Sequence, residues 1–267
     1  MRNSIVITLA LLVFCYSVKS QELNLKKKYS VSVKNTSLVS TDKQGNIYLA
    51  FQDGSIDKYD EKGQLLNHFS AQKLAVPTLI EAWNPLKVFS FYQDFQEYTF
   101  LDRFLTTANR FSISSISSYV GLVTISADNN LWLIDLSDFS LKKFDVNFQE
   151  VTIDRPLDLV LSPSDYEASF MREYQNLLFI SDINQGILLF DNLGNYLRTI
   201  STKKTNYFSF DQDDIYFVEQ DMIRLINIYS GDTRCIKLPI SPKYAIIGNN
   251  ALVVISDLEM IFFEKDN

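Results

Sequence analysis

Six aspartates recur along this chain at intervals of roughly forty residues: Asp53, Asp94, Asp135, Asp182, Asp221 and Asp257. Each sits in a short turn free of Lys and Arg, between two runs rich in apolar and β-branched residues. If one structural unit repeats, the six carboxylates share a face, and that face attracts a cation, an amine or a basic peptide. One shared metal ion does not fit the spacing. Turns of successive units stand well apart, whereas a hard cation needs several oxygens within about 2.6 Å. Aspartate also serves turns on its own account, by capping local N–H groups. The densest acidic run, Asp211-Gln212-Asp213-Asp214, lacks the glycine and distal glutamate of a calcium loop and reads as a hairpin turn.

Acid–base and nucleophilic chemistry have little to work with. The one histidine, His68, lies in the run Leu65 to Phe69 with no acid–base partner near it in sequence. Of the two cysteines, Cys15 falls in an apolar leader, and Cys235 falls in the alternating run Thr233 to Leu238, where it reads as a small buried residue. No intramolecular disulfide remains once the leader is gone. GxSxG, P-loop and HExxH patterns are absent, and no cofactor-binding motif is read.

The leader has the parts of a secretory signal. Arg2 gives a positive start, Ile5 to Tyr16 form the apolar stretch, and Val18-Lys19-Ser20 precedes a cleavage point before Gln21. A lipoprotein signal ending at Cys15 is the rival reading, but Val13 and Phe14 stand where small residues belong. Cleavage removes Arg2 and Lys19, leaving 23 basic against 32 acidic residues. Such a surface disfavours nucleic acid, whose phosphates need a basic footprint. Beyond the leader no stretch approaches the ~18 apolar residues of a membrane span. A protein of the secreted or periplasmic space is expected, with residues 21–267 as its single domain.

With 46% hydrophobic residues, 20 Phe and 14 Tyr against 8 Gly and 6 Pro, the chain suits β-sheet. Turn-then-strand units begin near Ile47, Val88, Leu131, Leu178, Ile215 and Leu252. The first resolves into four short runs, Ser37–Ser40, Ile47–Phe51, Ser55–Tyr59 and Leu65–Phe69, punctuated by turn residues. Four antiparallel strands at a period near forty describe one blade of a β-propeller. The sixth unit supplies only three strands, while Lys28 to Val33 alternates cleanly at the other end. Pairing the two completes the sixth blade, closes the ring and removes unpaired edges. The fold expected is therefore an all-β, six-bladed propeller of four-stranded antiparallel blades.

Gly45-Asn46-Ile47-Tyr48-Leu49-Ala50, Gly54 to Asp60 and Gly63-Gln64-Leu65-Leu66 together resemble an NHL-type propeller repeat, and Asn176 to Ile200 is similar. The resemblance implies the fold; the superfamily holds protein- and RNA-binding modules as well as lactonases and lyases, so it selects no activity. One departure from the period is Ser162 to Tyr174. Ser164 and Glu167 fit a capping box, and Tyr166, Phe170 and Tyr174 recur at a spacing of four, so a short inserted helix near 164–174 is expected. Tyr166 and Phe170, with Phe95 in a turn, are candidates for a partner surface. The lead expectation is a non-catalytic binding or scaffold protein engaging a protein or peptide. A metal-dependent sugar-lactone hydrolase and a structural envelope component are the alternatives.

Overall fold

Ile47–Phe51 is buried along its whole length, and its alternate residues serve two interfaces. Ile47, Leu49 and Phe51 pack with Tyr244, Val253, Ile255 and Phe262; Tyr48 and Ala50 pack with Ile80, Val88 and Leu101. A strand of period two that is apolar on both sides belongs to a sheet held between two other sheets. The same division recurs in Ala251–Ile255, where Val253 and Ile255 face the first sheet and Leu252 and Val254 face the fifth. Repeated around the chain, this arrangement makes a ring.

The computed structural model describes residues 19–21, 25–70, 75–106, 108–248 and 251–264. It is an all-β propeller of six antiparallel blades, each a four-stranded meander, numbered here in chain order. The innermost strands are Thr36–Thr41, Leu79–Glu81, Val120–Ile125, Ala168–Tyr174, Phe208–Asp211 and Tyr244–Ile247. Blade 6 takes its outermost strand from the other end of the chain. Lys26–Ser32 pairs antiparallel with Glu259–Glu264, Tyr29 stacks on Phe262 at 4.7 Å, and Lys28 reaches Glu264 at 3.0 Å. Blade 5 carries an extra edge strand, Lys19–Gln21, parallel to its outermost strand Thr233–Lys237. Residues 1–18, on which most of the expected leader and Cys15 fall, lie outside the described residues.

The inserted helix expected near 164–174 does not form. Residues 157–165 make consecutive turns, and Ala168–Tyr174 is the innermost strand of blade 4. A spacing of four is a multiple of two as well as close to 3.6, so Tyr166, Phe170 and Tyr174 fit a strand face equally well. The capping box is also dismantled: Ser164 bonds Ser162 at 2.7 Å, and the Glu167 N–H donates to Asp182 at 2.8 Å. The helix among the described residues is one 3-10 turn, Gln93–Phe95.

Antiparallel order puts the turns after each first and third strand on one face of the disc, called here the proximal face. The turns after each second strand and the links between blades lie on the distal face. Gly63, in a proximal turn of blade 1 at φ 73°, abuts blade 6: an added Cβ would come within 2.9 Å of both Phe262 and Val31. Gly63→Ala combines a left-handed backbone with overpacking at the ring's closing joint, and should cost about 2–3 kcal/mol in a urea titration. An unchanged midpoint would show that the joint between blades 6 and 1 yields freely.

Candidate functional site

On the proximal face the axial channel opens into a cavity of about 540 Å³ lined by turns of blades 1 to 4. Its walls are Lys43, Trp83 and Tyr174, and its floor is Glu81 and Arg172. Each wall is held by its own local hydrogen bonds. Asp42 accepts from the backbone N–H groups of Gln44 and Asn46 and from the Tyr48 hydroxyl, fixing the turn that projects Lys43. The Lys43 ammonium lies 5.3 Å from the Trp83 ring centre, and Trp83 meets Tyr174 edge-on at 5.9 Å. Tyr174 stacks on Phe210 at 4.1 Å and donates its hydroxyl proton to the Gln212 carbonyl. The aromatic wall is thus rigid before any ligand arrives.

The floor is an ion pair thrown across the axis. Arg172 comes from blade 4 and Glu81 from blade 2, and both side chains are 3% exposed. The Arg172 Nε–H donates to Glu81, and its Nη2 donates to the Ser40 hydroxyl of blade 1 at 3.2 Å. Glu81 spends its other oxygen on the Trp83 N–H at 2.9 Å. Burial alone would lower the guanidinium pKa; the Glu81 charge beside it outweighs this and holds it above its ordinary value. Arg172 Nη1 and the Tyr207 hydroxyl are buried without a partner at hydrogen-bond geometry. Desolvation pushes the Tyr207 phenol up, so it stays protonated. Tyr207 also lines both cavities on the distal side, of about 300 and 200 Å³. The channel is therefore stopped in the middle, with separate mouths.

Glu173, at the rim of the proximal mouth, is also committed: it accepts from Trp132 Nε1 at 2.6 Å and from the Ala127 N–H at 3.2 Å. Two acids and two bases thus leave the mouth near neutral, with indole, phenol and side-chain amides as its recognition groups. Among the described residues no group of three or more His, Cys, Asp or Glu converges.

The six aspartates lie on the distal face, one per blade, and are not brought together: Asp135 and Asp182 end second strands, and the other four sit in the turns that follow theirs. Asp135 is buried and bound to Lys142 at 2.6 Å and to Ser117. Burial raises its carboxyl, but Lys142 and the two serines it bonds outweigh this and hold it below the usual range. Asp182 accepts from the N–H groups of Glu167, Asn184 and Gln185. Asp53 bonds Ser55 and Lys34, which bring it down to about 2. Asp257 faces Lys243 at 3.5 Å, and Asp94 and Asp221 are exposed. Of the aromatic candidates, Phe95 is exposed, Tyr166 is half-buried edge-on to Phe139, and Phe170 is buried against Tyr207 and Phe208. Cys235 is a free, buried thiol pushed up by desolvation. His68 is on the outermost strand of blade 1, bonded to Asp57 and Ser70.

The proximal mouth escaped the sequence reading because its parts lie up to 132 residues apart. A signal was present: Glu81 follows Leu79-Ile80 and Arg172 follows Phe170-Met171 in inner strands, and a charge there needs a partner.

Ring and mouth define the class, a six-bladed β-propeller with an occluded axis. No family model matches the chain, and no curated protein matches it. Solved structures do. A streptogramin B lyase aligns with TM-score 0.62 at 12% identity over 90% of this chain and 87% of that one. A catalytically inactive histidine-to-alanine variant of virginiamycin B lyase from Staphylococcus aureus, with quinupristin, aligns at 0.58 and 11% over 86% and 80%. The β-propeller domain of Cps50 (Swd1) from a Myceliophthora thermophila source aligns at 0.61 and 10% over 91% and 100%. At such identities the likeness is one of fold.

Proposed function

We propose that the protein is a secreted or periplasmic binding propeller that takes a peptide segment of a partner protein at the proximal mouth, without chemistry. The preformed wall of Lys43, Trp83 and Tyr174 over a sealed floor carries the reading. Concave sites with rigid aromatic walls and few placed polar groups hold ligands by desolvation, with little ordering cost. The carboxylates at this mouth accept hydrogen bonds from Arg172, Trp132 and backbone N–H groups, so they serve as fixed parts of its wall and floor. The virginiamycin B lyase relative is inactive in its histidine variant; the one histidine here, His68, lies on an outer strand.

Affinity capture from the native compartment tests this. Wild type is expected to recover a protein in stoichiometric amount, and Trp83→Ala at least tenfold less, since a central aromatic anchor is worth roughly 2 kcal/mol or more. Recovery of the propeller alone, or equal recovery by the variant, would overturn the proposal.

A further inference from the structure

The His68 side chain is 44% exposed, yet it rests on a carboxylate that is nearly buried. The register of blade 1 puts it there. His68, on the outermost strand, lies directly opposite Asp57 on the third, and side chains paired in this way across an antiparallel ladder meet. The Asp57 side chain is 10% exposed, and one of its oxygens accepts from the Tyr59 hydroxyl at 3.1 Å. Its other oxygen lies 2.5 Å from His68 Nδ1. An ionised carboxylate only accepts, so Nδ1 carries the proton, and a neutral imidazole then presents the lone pair of Nε2. Ser70 stands two residues beyond His68, on the same side of the chain, with its Oγ 2.8 Å from that Nε2. An exposed hydroxyl thus donates to a base whose ring is held in place from behind.

Other exposed serines are bound differently. Ser112 meets Ser114 at 2.8 Å, Ser162 meets Ser164 at 2.7 Å, and Ser230 donates to Asp232 at 2.8 Å. A hydroxyl takes up no proton at ordinary pH, and a carboxylate is a far weaker base than an imidazole. We infer that Ser70 is an activated nucleophile, an acylation site on the outer strand of blade 1 that reacts with activated esters and fluorophosphonates. Ser70 Oγ attacks the carbonyl carbon of the ester while its proton passes to His68 Nε2. The bond from that carbon to the alkoxy oxygen then breaks, His68 returns the proton to the departing oxygen, and an alcohol leaves an acyl-serine behind. A fluorophosphonate is attacked at phosphorus in the same way and loses fluoride, with the proton kept on His68. Asp57 touches neither reactant and is a positioning residue: it fixes the tautomer and steadies the imidazolium. The site is at the periphery of the disc and stands independently of the binding reading above.

A biotinylated fluorophosphonate tests it, incubated with tag-free wild type, Ser70→Ala, His68→Gln and Asp57→Ala, with the adduct located by mass spectrometry of tryptic peptides. Wild type should be labelled at Ser70 faster than at any other serine, and Ser70→Ala should lose that adduct. His68→Gln should label there about a hundredfold more slowly, the size of general-base assistance. Matching melting temperatures certify the folds, and His68 and Ser70 are both exposed, so their variants serve if Asp57→Ala fails to fold. The chain has one histidine, so nitrogen NMR reads its tautomer without ambiguity. Wild type should carry the proton on Nδ1; Asp57→Ala should shift it toward Nε2 and slow labelling roughly tenfold or more. No adduct at Ser70, or one that forms as fast in His68→Gln, overturns the inference. A wild-type proton on Nε2 does the same, because the lone pair would then face away from Ser70. An unchanged tautomer and labelling rate in Asp57→Ala overturns the part assigned to Asp57.

Discussion

Glu81→Ala should remove about 3–5 kcal/mol of folding stability, because it leaves the Arg172 guanidinium buried with the Ser40 hydroxyl as its remaining hydrogen-bond partner. Few single changes on this chain should do as much. The pair sits at 3% exposure, so neither solvent nor salt can replace the lost carboxylate. The lost carboxylate also frees the Trp83 N–H, loosening the wall of the mouth. The informative comparison is with Glu81→Leu combined with Arg172→Met. Removing both charges and filling their volume should recover most of the loss, since a buried ion pair adds little beyond an apolar pair of similar size. Chemical denaturation of the two single variants and the double variant gives the coupling directly. If the single and double variants lose stability equally, the pair is not what holds the inner strands of blades 1, 2 and 4 together.

Deletion of residues 22–34 should rank beside it. Lys26–Ser32 supplies the outermost strand of blade 6, stacks Tyr29 on Phe262 and lays Val31 against the core shared by blades 6 and 1. Losing two partly buried apolar side chains together with the pairing should cost about 4 kcal/mol or more, and lower Tm by roughly 10 °C. A synthetic peptide of residues 22–34 added in trans should restore much of the Tm. The bared edge of Glu259–Glu264 should also promote association between molecules. An unchanged Tm would mean that the ring stays closed without its velcro strand.

The fold was largely legible because blade strands are short and their turns are spelled in Asp, Asn and Gly. The runs Ile47–Phe51 and Leu65–Phe69, and the borrowed strand at the amino end, all emerge where sequence alternation puts them. The helix expected near 164–174 failed for a definite reason: aromatic residues four apart satisfy two periods at once, and only blade packing chooses between them. The aspartate series is legible, one per blade, but its settings differ: Asp53, Asp135 and Asp257 face Lys34, Lys142 and Lys243, Asp182 accepts from backbone N–H groups, and Asp94 and Asp221 are exposed. Those partners lie up to nineteen residues away, beyond what a turn motif announces. The mouth is built from four blades and has no local spelling at all.

The ion pair across the bore has a topological meaning. A guanidinium locked to a carboxylate puts a buried partition between the proximal mouth and the distal cavities. The linings on its two sides share no residue, so a substitution in the wall of one leaves the walls of the other as they are.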